Sequence, residues 1–151
     1  MQHQPGRWSA ELLAVHDGLT GIVREIVAGR PAAEGVPSFT QQSVLSYVDR
    51  KPGCRATEIA EMFGVHRSTV SRQVRTLMDE GWLEAGEGNL RVGFPLHLTD
   101  AGRAALSAAI GHDLTRLGER TAEWTTREIA DLARALRRLG HPDSTIGDDH
   151  A

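Results

Sequence analysis

Residues 57–77 read T-E-I-A-E-M-F-G-V-H-R-S-T-V-S-R-Q-V-R-T-L, and the reading of this stretch decides the fold. It predicts two short helices, over about 58–63 and about 67–80, joined by Gly64-Val65-His66. Gly64 suits the exit of the first helix, because it accepts the left-handed conformation a sharp turn needs. Ala60 is small where two helices must approach closely, and Val70, six residues after Gly64, falls on the inner face of the second helix. This spacing is that of a helix-turn-helix.

The second helix carries its chemistry on the opposite face. Val70, Val74 and Leu77 form the apolar stripe. Arg67, Ser68, Thr69, Ser71, Arg72, Gln73 and Arg75 form the polar face, with no acid among them. A helix fits the major groove of B-DNA, where Arg and Gln make bidentate bonds to guanine and adenine edges, and Ser, Thr and Arg hold phosphates. These seven residues are the candidate DNA contacts. The alternative is a solvated amphipathic helix.

Composition bounds the answer without deciding it. With 151 residues, 40% hydrophobic and 25% charged, the chain is expected to form a globular domain with its own core. A formal net charge of −3 argues against nucleic-acid binding if taken as a sum. Distribution matters more. Acids gather at Glu84, Glu87, Asp143, Asp148 and Asp149, whereas 65–78 holds Arg67, Arg72 and Arg75 and no carboxylate. One cysteine, Cys54, excludes an internal disulfide and fits a reducing compartment. Without a signal-peptide pattern or an apolar run of membrane-spanning length, a cytoplasmic location is expected.

Outward from the central stretch, residues 1–8 contain Pro5 and Gly6 and are expected to be disordered. Ser9 caps a predicted helix over about 10–29, with Leu12, Val15, Leu19, Ile22 and Ile26 on one face and Leu13, Val23 and Val27 beside them. That wide face suits either a dimerisation helix or an ordinary core helix. Residues 30–37 form a loop, and Ser38 with Gln41 has capping-box spacing for a helix to about Arg50, whose inner face is Val44, Leu45 and Val48. After Gly81 the period changes. A strand over 82–84, a turn-rich tip over 85–89 and a second strand over 90–98 predict a hairpin, the wing of a winged helix. Pro95 lacks an N–H and suits an edge. Arg91 is the candidate to enter the minor groove, its alternative being a solvated hairpin arginine. Thr99 caps a helix that runs to about 120–122, with Leu106, Ile110, Leu114 and Leu117 in register. Thr125 and Glu128 have capping-box spacing, with Trp124 as hydrophobic staple, for a last helix carrying Ile129, Leu132, Leu136 and Leu139. Gly140 and Pro142 end it, and 141–151 is expected to be a flexible tail.

Other constellations support little. Seven histidines include no H-x-x-x-H pair, so no metal site is expected. Arg55 beside Cys54 could lower the thiol pKa and so suit redox sensing, but the preferred reading of Cys54 is a lone small loop residue. Glu58 and Glu61 are expected to solvate one helix face. No nucleophile elbow or phosphate-cradling glycine loop is present, so neither an enzyme nor a cofactor is expected.

The order of elements, with V-H-R-S-T-V-S-R-Q-V-R-T-L (65–77), G-W-L-E (81–84), L-H-L-T-D-A-G-R (96–103) and W-T-T-R-E-I-A-D-L-A-R-A-L-R-R-L (124–139), resembles the MarR family of bacterial winged helix-turn-helix transcription regulators. The resemblance covers about 9–140. It implies a mainly α (α+β) fold: a single domain with a winged helix-turn-helix over about 38–99 and dimerisation helices over about 9–29 and 100–140. It further implies a homodimer on a pseudo-palindromic double-stranded operator, and a repressor released by a small-molecule effector. The family's wing carries Asp-x-Arg; here Asn89-Leu90-Arg91 stands in its place, so the resemblance alone does not assign Arg91 a groove contact. The alternative function is a winged-helix module for protein–protein assembly, without an operator.

Overall fold

The computed structural model describes residues 8–28, 35–88 and 93–140. The expected disordered start (Trp8 apart), the flexible tail and Arg91 lie outside these residues. The described elements are helices α1 (Ala10–Ala28), α2 (Phe39–Arg50), α3 (Ala56–Phe63) and α4 (Arg67–Asp79), strands β1 (Leu83–Ala85) and β2 (Leu96–Leu98), and helices α5 (Asp100–Arg120) and α6 (Thr126–Gly140). This is the mainly helical winged-helix order expected from the sequence. The chain divides into two compact units, Met1–Ala109 and Ile110–Ala151.

The first unit holds the core. Val44, Leu45 and Val48 of α2 pack with Ile59 and Ala60 of α3 and with Val70, Val74 and Leu77 of α4. Trp82, Leu83, Leu96 and Leu98 of the hairpin and Ala105 and Leu106 of α5 join the same cluster. Local chemistry sets the helix ends. The Ser38 hydroxyl accepts from the Gln41 N–H at 3.2 Å while the Gln41 side chain accepts from the Ser38 N–H at 2.8 Å, a complete capping box. At the end of α3, Gly64 has φ +62°, which lets its N–H reach the Glu61 carbonyl and the Val65 N–H reach the Ala60 carbonyl. That reversal turns the chain straight into α4.

The wing differs from its expected form in extent. β1 and β2 pair antiparallel with Leu83 opposite Leu98, Glu84 opposite His97 and Ala85 opposite Leu96. The first strand therefore lies one residue later than 82–84, because the Trp82 N–H closes the end of α4 on the Leu77 carbonyl at 2.9 Å. The second strand covers only the last third of 90–98. Residues 90–92 lie outside the described ones, Gly93 has φ +87° outside the extended region, and Pro95 has no N–H for a ladder. The Pro95 carbonyl still accepts from the Gly86 N–H at 2.8 Å. The loop before α3 joins this sheet: the Gly53 N–H donates to the Leu96 carbonyl and the Leu96 N–H to the Cys54 carbonyl, at 2.8 and 2.9 Å.

The root of the wing is knotted to α5 by Thr99. Its hydroxyl donates to the Gly81 carbonyl at 2.6 Å and accepts from the Gly102 N–H at 2.9 Å. Its N–H donates to the Trp82 carbonyl at 3.1 Å.

Outside the core, long apolar faces remain uncovered. Leu12, Leu13, Val15, Leu19, Ile22 and Val23 of α1 are all exposed. In the second unit, Ile110, Leu114 and Leu117 of α5 are exposed, and α6 has no buried residue although Ile129, Leu132, Leu136 and Leu139 line one of its faces. The Thr125–Glu128 capping box at the head of α6 forms as expected, the Glu128 carboxylate accepting from both the N–H and the hydroxyl of Thr125. No helix among the described residues is long and apolar enough to cross a membrane.

Candidate nucleic-acid interface

Helix α4 presents two chemically opposite faces. Val70, Val74 and Leu77 are buried, which fixes the rotation of the helix about its axis. That rotation leaves Arg67, Ser68, Thr69, Ser71, Arg72 and Arg75 exposed and Gln73 half-buried. The three arginine side chains have no ion pair or hydrogen bond among the described residues. Their charge is thus unneutralised by the fold. His66 occupies the N-cap of α4 without a side-chain cap bond, so the positive end of the helix is left open to solvent beside Arg67. A shallow groove lined by Thr57, Ala60, Glu61, Gly64, Val65 and Arg67 joins the start of α3 to the start of α4. All seven residues selected on this helix therefore lie on one element and together; Arg91 falls outside the described residues.

Around α3 one expectation is corrected, that for Glu58, and the preferred reading of Cys54 is supported. Glu58 does more than solvate a surface. Its carboxylate accepts from Lys51 Nζ at 2.6 Å and from the Arg55 N–H at 2.7 Å. The Lys51 bond, followed by the Arg55 N–H, holds the Glu58 carboxyl below the usual carboxylate range. The signal was in the sequence as R-x-x-E, with Glu58 at the third position of α3, although the reciprocal half of a capping box is impossible because a guanidinium has no acceptor. Cys54 is not activated by its neighbour. It is buried in the core, and that burial, with a smaller contribution from Glu58, pushes its thiol above the usual value. A buried thiol with a raised pKa is a poor nucleophile.

The depressed Glu58 value has a sign that can be tested. A carboxyl held lower in the folded state stabilises it fully above the ordinary pKa of 4.5 and loses that contribution as pH falls through the folded value. Glu58→Gln should therefore lower the thermal midpoint at neutral pH and flatten its decline on the acid side. Melts across roughly pH 3 to 7 check this; parallel acid limbs in the two proteins would show that Glu58 is not coupled to folding.

Known proteins place this geometry. Residues 38–89 match the family model described as MarR family. No curated protein matches the chain by sequence. Among solved structures, the chain is similar to MarR (TM-score 0.72, 20% identity, covering 93% of this chain and 95% of that one). It is also similar to the Mycobacterium tuberculosis MarR family protein Rv2887 in complex with salicylic acid (TM-score 0.66, 20% identity, 90% and 99% covered). A third is Streptococcus pneumoniae FabT in complex with DNA (TM-score 0.59, 17% identity, 87% and 91% covered). At these identities the structures speak for the fold. Residues 38–89 thus carry the sequence pattern of the MarR family, and the chain shares the fold of solved MarR family structures along nearly its whole length.

Proposed function

We propose that this protein is a homodimeric, sequence-specific DNA-binding transcription regulator, a repressor that a small-molecule effector releases from its operator. One observation carries the reading. A helix anchored by a buried stripe turns three arginines without a partner among the described residues, with Ser68, Thr69 and Ser71, toward solvent on one acid-free face, Gln73 lying half-buried beside them. Such a face fits the major groove, with Arg72 and Gln73 suited to base edges and Arg67, Ser68, Thr69, Ser71 and Arg75 to bases or phosphates. Arg91 is retained as the wing candidate for the minor groove. FabT was solved with DNA and Rv2887 with salicylic acid, which supports DNA and a small aromatic acid as partner classes for this chain.

The uncovered apolar faces support the dimer. A strongly amphipathic helix with an exposed leucine stripe is expected to bury it against a second chain. We assign α1 and α5–α6 to dimerisation and about 38–99 to the winged helix, within a domain spanning about 9–140. Leu136→Glu, which places a charge in the α6 stripe, is expected to shift the protein from dimer to monomer in sedimentation velocity; an unchanged dimer would remove α6 from the interface.

The test of function is binding to the DNA upstream of the protein's own gene against a scrambled duplex, across a salt series. Tight discrimination with a steep negative salt slope is expected. Absence of binding to either duplex, even at low salt, would overturn the reading.

A further inference from the structure

A cation outside α4 lies against the described part of the wing. Arg55 precedes α3 and lies alongside the returning arm of the hairpin, one residue after the Cys54–Leu96 bridge. Its stem runs against Gly93: a Cβ at that glycine would meet Arg55 Cδ at 3.7 Å, Cβ at 3.9 Å and Cγ at 4.0 Å. Its Nε is buried and has no hydrogen-bond partner among the described residues. Its guanidinium has no direct ion pair among the described residues, and the nearby Glu58 carboxylate is engaged by Lys51 and by the Arg55 N–H. Lys51 and Arg55 are thus unlike: the first is paired directly with Glu58, the second interacts with that carboxylate only through space.

Position links this charge to the α4 face. The groove from Arg67 to Thr57 leads from the start of α4 to the start of α3, two residues from Arg55, and Arg55 in turn lies against Gly93. Arg67 and Thr57 thus line one groove, which Glu61 also lines, and Arg55 lies two residues before Thr57 and against Gly93 of the wing. We propose that Arg55 is a further DNA-contacting residue, a phosphate anchor between recognition helix and wing. The inference rests on the DNA-binding reading above. A guanidinium whose stem is already held loses little freedom on meeting a phosphate, and a planar fork of donors matches phosphate oxygens. Phosphate contact carries no sequence information. Arg55 would therefore add affinity on every duplex alike, unlike Arg72.

The test compares wild type with Arg55→Met and Arg55→Gln, which keep a side chain of similar reach without charge, and with Arg55→Lys. Each binds the upstream duplex and a mixed-sequence duplex across a salt series, with thermal midpoint and sedimentation recorded. The neutral variants are expected to weaken binding by about five- to tenfold at 0.1 M salt on both duplexes. Their slope of log affinity against log salt should fall by about one per chain, and Arg55→Lys should restore it. A neutral variant that is folded and dimeric with the wild-type slope overturns the inference while leaving the regulator reading intact. Wild type that binds neither duplex overturns the regulator reading itself, and the inference with it.

Discussion

Gly102→Ala is expected to lower the unfolding free energy by on the order of 3 kcal/mol, and the thermal midpoint by about 6–12 °C. A Cβ built at Gly102 would sit 2.0 Å from the Trp82 carbonyl oxygen and 2.9 Å from its carbon. That is backbone, and it cannot swing aside like a side chain. The Trp82 N–H is tied to Leu77 at the end of α4 and its carbonyl to the Thr99 N–H. Thr99 is tied in turn to Gly81 and to Gly102 itself. Relief would have to move α5 away from the root of the wing, opening contacts of the buried Ala105, Leu106 and Leu98. Gly111→Ala on the same helix is the control. Nothing lies within 4 Å of its Cβ position, so the substitution should be neutral or stabilising by up to ~1 kcal/mol through helix propensity. Thermal or urea unfolding of both variants checks the pair; a Gly102→Ala protein as stable as wild type would mean that helix and wing do not approach this closely.

Arg72→Ala is expected to have the largest effect on function. A bidentate contact to a base is worth about 1–3 kcal/mol, and a dimer would make it twice, so specific operator affinity should fall by roughly one to four orders of magnitude. Arg72 is exposed and its side chain has no partner among the described residues, so stability and the dimer fraction should not change. Binding to a scrambled duplex should fall much less. If the variant shifts the operator with unchanged affinity, α4 is not the reading helix.

Much of this was legible along the chain because it depends on local physics. The α4 stripe of Val70, Val74 and Leu77 follows from helical period, and its acid-free opposite face follows from the same count. The cap at Ser38, the box at Thr125 and the reversal at Gly64 each need only residues within four or five positions of one another. The wing was legible as a hairpin but not in its extent, because Pro95 and Gly93 interrupt the ladder only once the partner strand and its register are known.

The sequence by itself determined the order of helices, their caps and the chemistry of the α4 face, since each is set by contacts within a turn or two. Only the tertiary structure decided the roles of residues whose partners are distant in the chain. Cys54 lies in the core because its loop pairs with Leu96, and that burial, rather than the adjacent Arg55, governs its thiol. Gly102 must be glycine because Trp82 crosses it. Arg55 has no direct ion pair among the described residues because Lys51, seven residues from Glu58, takes the carboxylate that the sequence left available to either. Charge neutralisation and close approach are properties of three-dimensional neighbours, and no spacing along the chain encodes them.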